Sequence, residues 1–232
     1  MAVAFTELAA MSTSTSNTNQ YTGTAGTPAA GDILIGLVGI TANVTSGTMT
    51  GAWTWYTLKE LSYNSGADSV HVFWAKATAA TATTPVYTTA SGNGSSCEIY
   101  VLRVTGSAGG GCPCIRQIST AIGTSANPAV VMFGAINTNN GCIGLIAENG
   151  DSSAVFTAPS SWAENAEAGT GTAPRHSTEV ASRASGETGT SVAWTWTNTS
   201  SRPWGAIVME FCLLGGRQMS PSGGGYSSPM FY

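Results

Sequence analysis

The sequence has few charged residues. Only 9% of its 232 residues are charged, with 8 Lys and Arg against 12 Asp and Glu and a net charge of −4, whereas roughly a quarter is usual in globular proteins. A protein that binds nucleic acid needs clustered Lys and Arg to neutralise phosphates, and the basic residues here are few and scattered. The composition therefore argues against a nucleic-acid partner and against helices held together by surface ion pairs.

Cysteines are also few, and their number is odd. The five are Cys97, Cys112, Cys114, Cys142 and Cys212, so at least one stays unpaired and a stapling disulfide framework is not expected. Cys112 and Cys114 form a C-x-C motif without a second pair or a neighbouring His, whereas a zinc site needs four ligands. We predict no metal site and no cofactor, and we interpret the motif as small apolar residues in a loop, with metal or redox use as the alternative.

Long apolar runs and targeting signals are missing as well. No run approaches the roughly 18 apolar residues that span a bilayer, and residues 1–17 lack the positive and apolar regions of a signal peptide. The expectation is a chain made in the cytoplasm, without a membrane partner.

Catalytic motifs are not found: the sequence lacks G-x-S-x-G, a P-loop, G-x-G-x-x-G and H-E-x-x-H. Of the two histidines, His71 lies in an alternating strand pattern and His176 in a predicted loop. A triad of His176, Asp151 and a serine is unspecific in so Ser-rich a chain. Glu164 and Glu167 are the nearest pair for glycoside hydrolysis, but surface glutamates on a loop explain them better. We predict no catalytic residues.

Thr, Ala, Gly and Ser make up about half of the chain, a composition that favours strands and tight turns. Runs of β-branched and aromatic residues between turn residues predict strands in the first half. These runs are residues 32–40, 70–76, 84–89 and 98–104.

The second half repeats this order with runs at 142–147, 190–196 and 204–211. Trp53 follows Ile33 at the same distance as Trp162 follows Cys142. Similar order and spacing indicate an internal duplication, with halves at about 31–105 and 130–214.

A unit of about four strands cannot bury its apolar face alone, so two copies packed together predict an all-β protein. We predict a single β-sandwich over residues 31–214, of Greek-key or jelly-roll type with interleaved halves, and extended arms over 1–30 and 215–232. Two independent small sandwiches are the alternative.

The C-terminal arm is rich in Gly and Ser yet contains apolar side chains that gain free energy only when something buries them. We predict that these side chains bind a partner, with a disordered tail as the alternative. They are Met219, Tyr226, Met230, Phe231 and Tyr232.

Five strings carry a resemblance to a known group of proteins: residues 156–164, 190–196 and 204–210 in the second half, with 31–35 and 72–76 in the first. They resemble the duplicated β-sandwich structural proteins found in virion gene clusters of tailed bacteriophages, and the likeness covers roughly residues 20–214. The resemblance implies a non-enzymatic virion protein such as a capsid decoration (cement) subunit or a tail component. Its implied partners are the major capsid protein, other virion subunits and further copies of the chain.

Two other functions stay open from the residues. A tail or fibre module could bind a host glycan or receptor, with Trp162 stacking on a sugar ring, although burial explains this tryptophan better. A β-sandwich hydrolase is a more distant alternative.

Overall fold

The computed structural model describes residues 3–41, 44–90, 92–107, 113–125, 127–149, 156–169, 176–196 and 202–213. More than half of these residues lie in strands, all paired antiparallel, which confirms the predicted all-β class. In this part of the chain, no helix has the length and hydrophobicity to cross a membrane. Numbered in chain order, the strands are β1 (Ala4–Ser14), β2 (Gln20–Thr22), β3 (Ile33–Thr41), β4 (Gly47–Thr50), β5 (Trp55–Tyr63), β6 (Asp68–Lys76), β7 (Val86–Thr89), β8 (Ser96–Thr105), β9 (Ile115–Gly123), β10 (Ala129–Val131), β11 (Gly141–Asn149), β12 (Phe156–Thr157), β13 (Ala163–Gly169), β14 (His176–Arg183), β15 (Ser191–Ala193), β16 (Thr195–Trp196) and β17 (Trp204–Phe211).

Two five-stranded sheets form the body. Sheet I has the order β1-β8-β3-β6-β5, and sheet II has the order β9-β17-β11-β14-β13. If the five strands of each sheet are numbered 1 to 5 along the chain, both sheets have the same spatial order, 1-5-2-4-3. The duplication stays a prediction, and this shared order is the observation that bears on it.

The halves are not interleaved, so that part of the prediction is wrong. Each half of the chain forms its own large sheet, because its first strand pairs with its last: β1 with β8 and β9 with β17. Pairing within a half closes shorter loops than pairing between halves, which costs less chain entropy.

The main core lies between the two large sheets, which pack face to face. Side chains on the inner faces come from both halves, among them Leu37, Tyr100, Leu145 and Ile207, all at most 1% exposed. The central strands β3 and β11 are buried on both faces. Their nearly continuous apolar sequences suit strands that meet no solvent on either side.

Smaller sheets cover the outer faces. The sheet β2-β7-β4 covers sheet I, where Tyr21 and Tyr87 pack with Val38 and Ile40. The pairs β10-β15 and β12-β16 cover sheet II. The body is therefore four layers deep, with three layers of apolar packing between them.

The prediction of an N-terminal arm over residues 1–30 is wrong, because most of these residues belong to the folded body. β1 pairs with β8 along its length, β2 pairs with β7, and Val3 is completely buried. Thr and Ser are compatible with an exposed edge strand, so the composition that suggested an arm also fits β1. The arm predicted over 215–232 lies outside the described residues.

Each of the four edge strands of the large sheets contains a break in register. β1 has two such breaks, and β5, β9 and β13 have one each. Over the described residues, the pairings of β3 and β11 with their neighbours run without a break. Bulges therefore concentrate at the exposed margins of the sheets.

The interlayer core gives the first testable prediction. Leu145 on β11 is completely buried between the sheets, so Leu145→Ala should lower the free energy of unfolding by about 2–5 kcal/mol through lost burial and a residual cavity. Val131→Ala is the control, because this side chain is 70% exposed and should change stability by less than about 0.5 kcal/mol. Urea unfolding measures both, and equal effects would contradict the proposed position of the core.

Candidate functional site

A groove opens where the edge strands β5 and β9 of the two large sheets lie next to each other. Its volume is about 490 Å³. The apolar side chains that line it are Leu58, Trp74, Pro113, Ile115 and Ile118. All of these except Pro113 also pack against the interlayer core. The groove is therefore the place where the space between the two sheets opens to solvent.

The bulges of both edge strands lie at this groove. Leu58 is the extra residue of β5 between the pairs Thr57↔Phe73 and Lys59↔Val72, and Arg116 is the extra residue of β9. A bulge bends a strand and redirects a side chain, and both bulged residues line the groove.

Arg116 is held at the groove by Glu210 of β17. Its guanidinium donates to both Glu210 carboxylate oxygens, at 3.0 and 2.8 Å. Burial alone would raise the pKa of Glu210, but hydrogen bonds from Asn137, Gln117, Asn140 and Arg116 lower it. The carboxylate thus stays ionised and fixes the polar side of an otherwise apolar groove.

Exposed aromatic and aliphatic side chains extend the groove in both directions. Tyr56 is 51% exposed and stacks on Trp74, with ring centroids 5.0 Å apart. Phe133 is 87% exposed and lines a second depression that shares Arg116, Gln117 and Ile118 with the groove. Single exposed apolar residues are common on protein surfaces, but a continuous strip of them indicates an interaction site.

The described chain ends next to the groove. Leu213 pairs with Ser107, and the Cys212 amide donates to the Cys114 carbonyl at 2.7 Å. Pro113, at one end of the groove, is the neighbour of Cys114 in sequence. The last described residue, Leu213, therefore lies beside the groove, and the C-terminal segment of residues 214–232 follows it in sequence. The predicted partner-binding residues Met219, Tyr226, Met230, Phe231 and Tyr232 lie outside the described residues.

Trp162 does not form the sugar-binding surface considered above. Its side chain is only 8% exposed and packs against Trp194, with ring centroids 6.4 Å apart. Its indole N–H donates to Glu187 at 2.8 Å. The ring faces are covered by the outer core of sheet II, which leaves no free face for stacking on a pyranose.

His176 is the first residue of β14, not a loop residue as predicted, and it is completely buried. Its Nδ1 forms a hydrogen bond and ion pair with the Glu98 carboxylate of sheet I. Its Nε2 lies 3.0 Å from the Tyr63 hydroxyl, also from sheet I. Burial lowers the pKa of His176, but Glu98, Asp68 and Glu148 together outweigh this effect and the net shift is upward. The two sheets are thus joined by a buried polar contact.

Other polar groups complete this cluster between the sheets. Asp68 accepts hydrogen bonds from Asn149 of sheet II at 2.8 Å and from Asn64 at 2.6 Å. Gly205 on β17 leaves space for Tyr63, since a Cβ there would lie 2.5 Å from the tyrosine ring. With His176, Asp68 and Glu98 at most 1% exposed, the cluster is suited to holding the sheets together and not to receiving a substrate.

His71 has a structural setting of its own. It lies on β6 as predicted, and its Nδ1 is 2.8 Å from the Tyr87 hydroxyl. Burial lowers the pKa of His71 to about 4, so the ring is neutral near pH 7. Asp151, the acid of the unspecific triad, lies outside the described residues.

Glu164 and Glu167 lie on strand β13 and not on a loop as predicted. Glu167 is opposite Glu179 of β14, which sequence analysis did not identify. Glu179 is completely buried, and Trp194 donates to its Oε1 at 3.1 Å. Burial, with Glu164 and Glu167, raises the pKa of Glu179 to about 8. The alternating pattern of β14 could have predicted that Glu179 shares a face with Ala181. That Glu167 lies opposite Glu179 follows only from the pairing of β13 with β14.

Among the described residues, no group of three or more His, Cys, Asp or Glu side chains is arranged to hold a metal ion. No protein family, curated protein or solved structure matches this chain significantly. Its function therefore has to be argued from its own geometry.

The buried ion pair gives a prediction for stability. Glu98→Gln removes the charge that His176 faces in the interior, and loss of one partner of a buried pair costs about 3–5 kcal/mol. The surface pair of Arg103 and Asp32, 3.6 Å apart, supplies the control, since Arg103→Gln should cost about 1 kcal/mol or less. Urea unfolding compares the two variants, and a small effect of Glu98→Gln would show that the pair does not stabilise the sheet packing.

Glu179 gives a prediction for pH dependence. Because its folded pKa of about 8 lies above the ordinary 4.5, the folded state binds more protons than the unfolded state between these values. Its contribution to the free energy of unfolding should fall as pH rises through this window, by at most about 1.4 kcal/mol per pH unit. Glu179→Gln should remove this slope in urea unfolding. Glu164→Gln, at an exposed position, should lower the pKa of Glu179 and keep only part of the slope, because burial still acts. The same slope in Glu179→Gln and the unmodified protein would refute the assignment.

Proposed function

We propose that this chain is a non-enzymatic structural protein of a tailed-bacteriophage virion, acting as a capsid decoration (cement) protein. It attaches to the major capsid protein or another virion subunit through the groove between β5 and β9 and through its C-terminal segment. Contacts between copies of the chain then add to its hold on the shell. The resemblance of residues 20–214 to duplicated β-sandwich virion proteins gives the biological setting of this proposal.

The observation that carries the proposal is the position of the groove. The strip from Tyr56 through Trp74 and Ile118 to Phe133 is apolar and solvent-facing, and the described chain ends beside it at Leu213. A folded surface and a Gly- and Ser-rich segment with apolar side chains can bind neighbouring subunits together. Two linked contacts bind more strongly than either alone, because the second becomes intramolecular.

The rest of the body is consistent with a structural role. His71, His176 and Glu98 are buried and engaged with neighbouring side chains, so they support packing. Four layers with a continuous interlayer core make a body suited to repeated use in a lattice.

A second candidate function is a tail or fibre module that binds a host glycan or receptor. The observation that favours it is the half-exposed Tyr56 ring beside Trp74, with Thr54, Lys76 and Thr78 around the same depression of about 350 Å³. An aromatic face with hydroxyl and ammonium donors suits a sugar ring. This surface replaces Trp162 as the candidate position for stacking.

Copy number separates the two functions. Quantitative mass spectrometry of purified virions that encode this chain should find it in amounts comparable with the major capsid protein if it decorates the shell. A handful of copies per particle would favour the tail or fibre function. Absence from the particle would refute both.

The groove gives a prediction for assembly. The double variant Tyr56→Ser and Phe133→Ser should lower incorporation into virions at least tenfold. Phe133→Ser should change the unfolding free energy by less than about 0.5 kcal/mol, because this side chain is 87% exposed. Tyr56→Ser should lower it by about 1 kcal/mol, because it also loses the stacking on Trp74. Deletion of residues 216–232 should abolish incorporation without unfolding the body. Incorporation is measured as copies per particle after complementation of a deletion phage.

Thr13→Ser, at an exposed position of β1 on the opposite edge, is the matched control and should incorporate normally. Normal incorporation of the groove variant would contradict the proposed attachment. On a glycan array, binding that depends on Tyr56 but not on Phe133 would support the second candidate function.

A further inference from the structure

We infer that Cys114 and Cys212 form a reversible disulfide by exchange with a small-molecule disulfide such as oxidised glutathione. The inference does not depend on the proposed function. It concerns the position where β9 begins and β17 ends, next to the start of the C-terminal segment.

The backbone places the two cysteines opposite each other. Phe211, the last residue of β17, pairs with Ile115, the first residue of β9. The pairing continues by one residue, since the Cys212 amide donates to the Cys114 carbonyl at 2.7 Å. Opposite residues of antiparallel strands have Cα atoms about 4.5 or 5.5 Å apart, within the range of about 4.4–6.8 Å that disulfides span. A bond between the two therefore needs no rearrangement of the strands.

The side chains also meet, and they differ from the other described cysteines. The Cys114 thiol is close enough to the Cys212 thiol to contribute to the raised pKa of Cys212, and both residues are only partly buried. Cys97 and Cys142 are at most 1% exposed. Burial raises the pKa of Cys142 to about 12 and that of Cys97 well above its usual value. An oxidant in solution thus reaches the pair more easily than these two thiols.

The exchange reaction needs no reagent other than the small-molecule disulfide. The thiolate of one cysteine attacks the small disulfide, forms a mixed disulfide and releases one reduced thiol. The thiolate of the other cysteine then attacks the protein sulfur of the mixed disulfide and releases the second. Two protein thiols are oxidised, one disulfide is reduced to two thiols, and the two protons pass to the departing thiolates.

The pH and the redox environment should decide whether the two cysteines are present as thiols or as a disulfide. Burial and the contact with Cys114 raise the pKa of Cys212 to about 12, so its attack should become faster as the solution becomes more alkaline. The reducing cytosol would keep the pair as thiols, and an oxidising environment outside the cell would close it. The bond would tie the end of β17 to the edge strand β9 and fix the point from which the C-terminal segment starts.

The test uses the full chain in a buffer of oxidised and reduced glutathione at mildly alkaline pH. The free thiols are then alkylated, and the protein is digested with trypsin and analysed by mass spectrometry without reduction. The expected product is a peptide containing Cys212 linked to the peptide of residues 104–116. Closing a loop of roughly 100 residues should raise the midpoint of thermal unfolding by roughly 10 °C, and dithiothreitol should reverse the rise.

Residues 104–116 contain both Cys112 and Cys114, so variants assign the bond. Cys112→Ser should keep the linked peptide and the thermal shift, as should the matched controls Cys97→Ser and Cys142→Ser. Cys114→Ser and Cys212→Ser should lose both, while their reduced forms unfold as cooperatively as the unmodified protein. A link that requires Cys112, glutathione adducts without a link, or a link without a thermal shift would each overturn the inference.

Discussion

Face-to-face burial of two β-sheets is the constraint on which the rest of this structure depends. Strands β3 and β11 have apolar side chains on both faces, so neither can lie at the surface of an ordinary two-layer sandwich. The inner faces are covered by the opposite large sheet, and the outer faces by the small sheets. The number of layers thus follows from the central strands, since each of their four faces needs an apolar neighbour.

The interlayer space has a different character at its two ends. Along β5 and β6, one end holds Tyr63 and Asp68 with the His176 and Glu98 pair, and the other holds Leu58 and Trp74 at the groove. Polar groups that are satisfied only in one alignment favour a single packing of the sheets, because any slip leaves a buried charge unpaired. The other end presents apolar surface to the solvent, and its ion pair of Arg116 with Glu210 lies within sheet II and does not join the sheets. The polar contacts at one end can therefore fix the relative position of the two sheets, and with it the shape of the groove at the other end.

Much of the fold follows from local pattern, and most of the site does not. The runs around Ile33, Cys142 and Trp204 are long and apolar, and all three are central or near-central strands. β1 and β13 were not predicted as strands, because edge strands with Ser, Thr and Glu lack the continuous hydrophobicity of buried ones. His176 appeared to lie in a loop because Pro174 and the glycines before it dominate the local signal. The groove depends on β5 and β9, which are far apart in sequence, and no spacing rule within one half connects them.

The bulged edges carry a consequence for a protein this poor in charge. Regular sheet edges expose unpaired amide and carbonyl groups that can recruit strands from other molecules, and many proteins prevent this with lysines along the edge. Only 8 Lys and Arg are present here, yet β1, β5, β9 and β13 each break register. Bulges in the edge strands thus prevent pairing between exposed sheet edges, which charged side chains prevent in many other proteins. Protection of this kind is insensitive to ionic strength, so the protein should resist fibrillar self-association in high salt as well as in dilute buffer.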